Sequence, residues 1–306
     1  MFGNVPSSKP SAWNSYLKSI KHIEIEEATL TGSFAYYFNN TIFTVLESVR
    51  IERSNLSGVT SFYYAFYSSN SKTIKEVIIR DNYYPETPSL TNMNRMFANS
   101  SNLSNVDVSG LNTSSVTDME YVFAGPVGLE KLDVSHFDTS SVTNMYGMFS
   151  YCYNFEELDL SNFDTSSVIN MDRMFENSTA LKSLYLDNFT DAASMTDMFK
   201  GTTSLTYLFV SHNLSTFTGL ENTNWYDEKN WVQFATLSQL QTYHRKQSEP
   251  TGYRKGAFLS LTMDAMGGEF EDTEEQKVQS KISGEYWDEI VPVKEDYYFD
   301  GWYLDQ

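Results

Sequence analysis

The feature that most restricts this chain is a repeat. The segment Leu132-Asp133-Val134-Ser135-His136-Phe137-Asp138-Thr139-Ser140-Ser141-Val142-Thr143-Asn144-Met145-Tyr146-Gly147-Met148-Phe149 returns 26 residues later, nearly residue for residue, at 158–175. A looser copy runs from Val106 to Phe123. The phenylalanine that closes each unit falls at Phe38, Phe66, Phe97, Phe123, Phe149, Phe175 and Phe199, at spacings of 28, 31, 26, 26, 26 and 24 residues. A unit this short cannot bury its own apolar edge. Copies must therefore stack, and irregular end units are expected to shield the stack.

Each unit has a physical reading. The alternating Leu-Asp-Leu/Val run reads as a strand of about three residues, apolar side chains inward and the acid outward. Its seven copies start at Val49, Val77, Val106, Leu132, Leu158, Leu184 and Leu208. The Asp-Thr-Ser-Ser cluster that follows is turn and N-cap chemistry. Val142, Met145, Met148 and Phe149, at i, i+3, i+6 and i+7, predict the buried face of a short helix. The methionine stripe from Met93 to Met198 recurs with that face and reads as core packing. Tyr63, taken as standing in for the first methionine of later units, is expected in the core with it. The predicted fold is an α/β repeat solenoid of about seven coils, with a short parallel β-sheet and short helices.

The rest of the chain divides around this array. Residues 1–40, with Trp13, Tyr16 and Ile20, read as an N-terminal cap, 41–212 as the solenoid, and 213–256, with Trp225 and Trp231, as a C-terminal cap. Residues 257–306 hold 13 acidic and 3 basic residues and change character. There, 258–263 and 297–303 read as strands of a small β-rich module.

Charge narrows the partners. With 21 Lys+Arg against 40 Asp+Glu, a net charge of −19, the chain lacks the clustered cations that nucleic acid requires. Mean hydropathy is −0.41, and no 18-residue apolar run predicts a transmembrane segment. One cysteine, Cys152, cannot close an intramolecular disulfide. The first residues do not read as a secretory signal.

No catalytic constellation is expected. His22, His136, His212 and His244 are scattered and outside any metal-binding spacing. His136 and His212 share a slot that other units fill with Gly110, Asn162 or Asn188, which reads as solvent-facing. Cys152, in a return loop, reads as a small, semi-buried residue rather than a nucleophile. The chain is read as non-enzymatic, with no cofactor and no dedicated metal site.

The outward strand positions are the candidate partner-binding face. They run Arg50, Ile78, Asp107, Asp133, Asp159, Tyr185 and Phe209. Three stacked carboxylates repel one another and need hydrogen bonds, a cation such as Lys131, or a bound ion. Asp107, Asp133 and Asp159 are thus a weak candidate calcium column. Tyr185, Tyr207 and Phe209 are candidate anchors for a protein or glycan, unless the 213–256 cap folds over them. Tyr63, Tyr64, Tyr67, Tyr83 and Tyr84 mark a second aromatic-rich edge.

The pattern Leu-Asp-Leu-Ser-x-Phe-Asp-Thr-Ser-Ser-Val-x-Asn-Met-x-x-Met-Phe resembles the repeat of BspA-like leucine-rich-repeat surface proteins over roughly 40–210. Phe234 through Tyr253 resembles the tail that often follows such arrays. Leu261-Thr262-Met263-Asp264-Ala265-Met266-Gly267-Gly268, with the terminal Phe299-Asp300-Gly301-Trp302-Tyr303, resembles an internalin-type B-repeat (the Listeria–Bacteroides repeat), with Met266 where asparagine is usual. The resemblance implies a leucine-rich-repeat-like solenoid and a β-grasp-like C-terminal module. It also implies an extracellular or cell-surface bacterial protein that recognises a host or neighbouring-cell protein or glycan, or serves as a stalk in a longer surface protein.

Overall fold

The computed structural model describes residues 3–39, 41–68, 73–81, 89–125, 128–221, 224–256, 258–265, 270, 276–282 and 291–293. In chain order its strands are β1 (Gly3–Pro6), β2 (His22–Glu26), β3 (Ala28–Ser33), β4 (Ser48–Glu52), β5 (Asn55–Ser61), β6 (Glu76–Arg80), β7 (Asn105–Asp107), β8 (Glu157–Asp159), β9 (Ser183–Leu186) and β10 (Tyr207–Val210). There follow β11 (Trp225–Asp227), β12 (Gln233–Phe234), the helix α1 (Leu237–His244), β13 (Thr251–Lys255), β14 (Phe258–Asp264) and β15 (Gln276–Ile282).

The chain winds into a solenoid of about seven turns carrying two parallel ladders. The first is the sheet expected from the Leu-Asp-Leu runs. Ile23, Val49, Val77 and Val106 pair in register, as do Leu158, Leu184 and Leu208. It starts one coil before the seven expected strands, at β2, and it is split into β2-β4-β6-β7 and β8-β9-β10. The strand expected at Leu132 does not form; residues 132–134 are irregular. Ser100, Cys152 and Ser178 share one register of the stack. Those three side chains donate to the carbonyls of Phe66, Phe123 and Phe149 in the preceding coil, at 2.9, 3.3 and 2.6 Å.

The second ladder begins as the parallel sheet β1-β3-β5 and continues as single bridges through Ser61, Asn92, Asp118, Asn144, Asn170 and Ser194. The short helices expected beyond this point are absent. Residues such as 146–150 form turns instead. The reason lies in where their N–H groups go: Met145, Gly147 and Phe149 donate to Asn170, Asp172 and Met174 of the next coil, each at 2.9 Å. Backbone donors committed between coils cannot also close i→i−4 bonds. The spacing of apolar residues is the same for both outcomes, and Val142, Met145, Met148 and Phe149 are all buried. Each Asx residue of the ladder accepts from the N–H two positions on, as Asn144 does from Tyr146 at 3.1 Å and Asn170 from Asp172 at 2.9 Å.

The seven closing phenylalanines form one continuous stack. Successive centroids from Phe38 to Phe199 lie 5.1, 5.4, 5.4, 5.7, 6.1 and 5.7 Å apart with nearly parallel rings. The stack ends where Phe217 meets Phe199 edge-on at 81°.

Strand β13 pairs antiparallel with β10, and β11 and β12 extend the sheet beyond it. The C-terminal cap thus closes the sheet edge rather than covering its face. Trp13, Leu17 and Ile20 pack on the core at the other end, while Tyr16 is exposed. In the C-terminal region β14 pairs antiparallel with β15, matching the strand expected at 258–263. The expected strand at 297–303, Met266 to Gly268, and Tyr83 and Tyr84 lie outside the described residues.

Candidate functional site

The strand face changes character along the solenoid axis. At its N-terminal end it is crossed by ion pairs between coils: Arg50 with Glu76 at 2.6 Å, Arg80 with Glu52 at 2.9 Å, and Lys21 and Lys75 with Glu47 at 3.1 and 2.9 Å. The two lysines hold the Glu47 carboxyl down at about 2. Ile78, in the same outward column, is buried.

The aspartates of the middle coils turn into their own backbone. Asp107 accepts from the Ser109 N–H and hydroxyl at 3.0 and 2.7 Å, and Asp133 from Ser135 at 2.9 and 2.7 Å. Asp159 accepts from the Ser161 N–H at 2.9 Å. The hydrogen bonds from Ser135 lower the pKa of Asp133. Asp107 also faces Arg80 at 3.7 Å. Mutual repulsion is therefore met by local hydrogen bonds. Among the described residues no group of three or more His, Cys, Asp or Glu side chains gathers to hold an ion.

Tyr185, Tyr207 and Phe209 come together as expected, half-buried and beside the cap rather than under it. Tyr185 and Tyr207 make an edge-on pair with centroids 5.5 Å apart. Arg254, directly opposite Tyr207 on β13, lies over its ring at 4.7 Å. The Tyr207 hydroxyl donates to Glu228 at 2.9 Å, and Glu228 also pairs with Arg254 at 2.8 Å. Gly252 makes room for this: a Cβ there would sit 2.1 Å from the Glu228 carboxylate. Arg254 and Glu228 belong to the cap, outside the periodic register, so reading one unit at a time does not find them.

The histidines are separated, and the shared slot is exposed at Asn188, half-buried at His136, Asn162 and His212, and buried at Gly110, so it is solvent-facing only in part. His136 and His212 are half-buried. In the same slot Asn162 donates to the Val134 carbonyl at 3.1 Å and Asn188 to Ser161 at 2.6 Å. His136 bonds the Val108 carbonyl in the equivalent way, and burial lowers its pKa. At Asn162 and Asn188 a side-chain N–H thus reaches a carbonyl of the preceding coil. His22 bonds Ser48 at 2.9 Å. His244 is fully buried in the cap between Tyr253 and the Ser211 carbonyl. Cys152 is buried, not semi-buried, and burial pushes its thiol pKa up.

The turn face carries the second aromatic edge. Tyr63 is not in the core; Phe62 fills the position that pairs with Met93, and Tyr63 is half-buried beside Tyr36 and Tyr64. Tyr36 stacks on Tyr64 at 5.1 Å. Arg95 lies over both Tyr64 and Tyr121, at 5.5 and 4.6 Å. Tyr121 and Tyr151 join this edge from later coils; Tyr151 stands where other units hold glycine or asparagine, and Tyr121 where they hold tyrosine, arginine, glycine or aspartate.

Stacked parallel coils with invariant internal columns and variable outer positions define a repeat solenoid. A family model described as "Mycoplasma protein of unknown function, DUF285" matches residues 34–129 and again 91–212. Together these cover more than half of the chain, which belongs to that bacterial repeat family. No curated protein and no solved structure is detectably similar to it.

Proposed function

We propose that this chain is a non-enzymatic recognition or adhesion protein, secreted or held at the bacterial surface, that binds a protein or glycan partner through the strand face. One observation carries the reading: the face stops repeating where Tyr185, Tyr207 and Phe209 replace the self-satisfied column of Asp107, Asp133 and Asp159. Half-exposed aromatic rings beside an arginine are the residue types that dominate binding energy at interfaces. The adjoining acidic coils favour a basic partner surface over an anionic polymer. Membership of the repeat family supports display outside the cell. No described helix is long and apolar enough to cross a membrane. The separate surroundings of the four histidines and the buried Cys152 support a binding role over catalysis.

A stalk in a longer surface protein is the second reading, favoured by the uniform internal columns. The two separate on partner arrays of host proteins and glycans, with and without calcium. The probe protein is the 306-residue chain beside Tyr185→Ser and Phe209→Ser variants checked for unchanged melting. Saturable binding lost in the variants supports recognition. Binding that needs calcium implicates the aspartate column, and a chain that captures nothing on either array fits the stalk.

A further inference from the structure

The turn face holds bulky side chains where the backbone disfavours them. One register of the solenoid is left-handed in every coil: Tyr36, Tyr64, Arg95, Tyr121, Gly147, Arg173 and Asp197 have φ between 53° and 57°. A second left-handed register holds Asn99, Gly125, Tyr151, Asn177 and Gly201. Left-handed geometry costs an ordinary L-residue about 1–2 kcal/mol, and glycine and asparagine are the residues that escape most of it. The second register obeys that rule at four of its five positions; Tyr151 breaks it. In the first register three tyrosines and two arginines break it. Unfavourable backbone positions filled by large side chains point to a demand other than folding.

Four of these exceptions, Tyr64, Arg95, Tyr121 and Tyr151, converge. Tyr64, Tyr67, Arg95, Asn99, Tyr121 and Tyr151 line one open groove of about 250 Å³ whose floor is the small residues Ala98, Ala124 and Gly125. Gly147 lets the Tyr121 ring lean over the next coil, since a Cβ there would stand 2.3 Å from that ring. The groove holds one cation, and it is already neutralised: Arg95 pairs with Glu120 at 2.8 Å between the rings of Tyr64 and Tyr121. Burial raises the pKa of both tyrosines, so their hydroxyls stay protonated donors. No aliphatic side chain larger than alanine lines it, so its apolar surface is aromatic.

We infer that the groove between Tyr64 and Tyr151 is a binding site for a neutral oligosaccharide. Aromatic faces take the apolar C–H faces of sugar rings, while the tyrosine hydroxyls and Asn99 meet the hydroxyl rim. Net neutrality at the floor matches an uncharged ligand. This site is separate from the strand face and does not depend on what that face binds.

The test uses the full 306-residue chain and neutral gluco-, galacto-, manno- and N-acetylglucosamine oligosaccharides of four to six units, read by saturation-transfer NMR and calorimetry. Tyr121→Gly and Tyr151→Gly are the informative variants. Each removes a ring yet installs the residue that the stack already carries in the same register, at Gly147 and at Gly125 and Gly201. If Tyr121→Gly fails to fold, Tyr151→Gly still decides. At least one oligosaccharide is expected to bind saturably, to weaken tenfold or more in both folded variants, and to bind unchanged in Tyr153→Ser, whose exposed side chain lies outside the groove. The inference is overturned by no saccharide binding, by binding that survives both glycine variants, by preference for anionic saccharides, or by a groove that captures only protein.

Discussion

Thr113 and Asp138 exchange two hydrogen bonds across a coil boundary: the Thr113 hydroxyl donates to the Asp138 carbonyl at 2.9 Å and accepts from the Asp138 N–H at 2.8 Å. Thr139 donates to the Asp164 carbonyl at 2.9 Å, one coil on, and Thr165 accepts from the Thr190 N–H at 2.8 Å. The threonine of Asp-Thr-Ser-Ser is thus a buried inter-coil tie, while the aspartate makes the turn: Asp138 accepts from the Ser140 N–H at 3.0 Å. Thr113→Val keeps the volume and strands both Asp138 backbone groups. It is expected to cost roughly 2 kcal/mol or more in urea unfolding, whereas Thr113→Ser should lose much less.

Phe149 sits mid-stack, with Phe123 at 5.7 Å and Phe175 at 6.1 Å. Phe149→Ala removes a fully buried ring from two coil interfaces at once. Destabilisation of roughly 3–5 kcal/mol is expected. Because each coil contacts only its neighbours, hydrogen exchange should quicken first between residues 123 and 175.

Much of this was legible in the sequence because a stack repeats its demands. The period located the Phe column, the inward Leu and Val residues and the methionines, all of which need only a side chain of the right type at the right interval. Helix and interlocked turn were not separable, because Met145, Met148 and Phe149 are buried in either. Tyr63 was misplaced by one position, Phe62 being the residue in register with Met93. The unit at 132–134 matched its neighbours in every strand residue and yet forms no ladder. On the sites, Tyr185, Tyr207 and Phe209 were found as one cluster, but Arg254 and Glu228 come from the non-repeating cap. Tyr121 and Tyr151 give no signal until their left-handed backbone is seen.

Cys152 occupies the register of Ser100 and Ser178, and its thiol donates to the Phe123 carbonyl as their hydroxyls do to Phe66 and Phe149. A serine at 152 supplies a stronger donor to the same acceptor. Cys152→Ser should change stability by less than about 1 kcal/mol and leave partner binding untouched. The native thiol should react with a disulfide reagent only after urea unfolding, since it is buried and its pKa is pushed up. Rapid modification of the folded chain would contradict this.

His244 gives the cap a pH dependence. The Ser211 carbonyl can only accept, so Nε2 carries the proton, and Nδ1 accepts from the Tyr253 hydroxyl in the neutral ring. Burial lowers the pKa of His244 and also that of His136 from the ordinary 6.5. The unfolded chain therefore takes up protons at these sites before the folded chain does. Their contribution is whole above about pH 6.5 and is lost as pH falls below it, at no more than about 1.4 kcal/mol per pH unit for each ring. The carboxylates of Asp133 and Asp164, whose pKa values serine hydrogen bonds lower from 3.8, act in a separate and more acidic window. Urea midpoints should fall between pH 7.5 and pH 5.5. His244→Gln, which keeps a donor for Ser211, should start lower at pH 7.5 and fall less steeply, and an unchanged slope would remove His244 from the account.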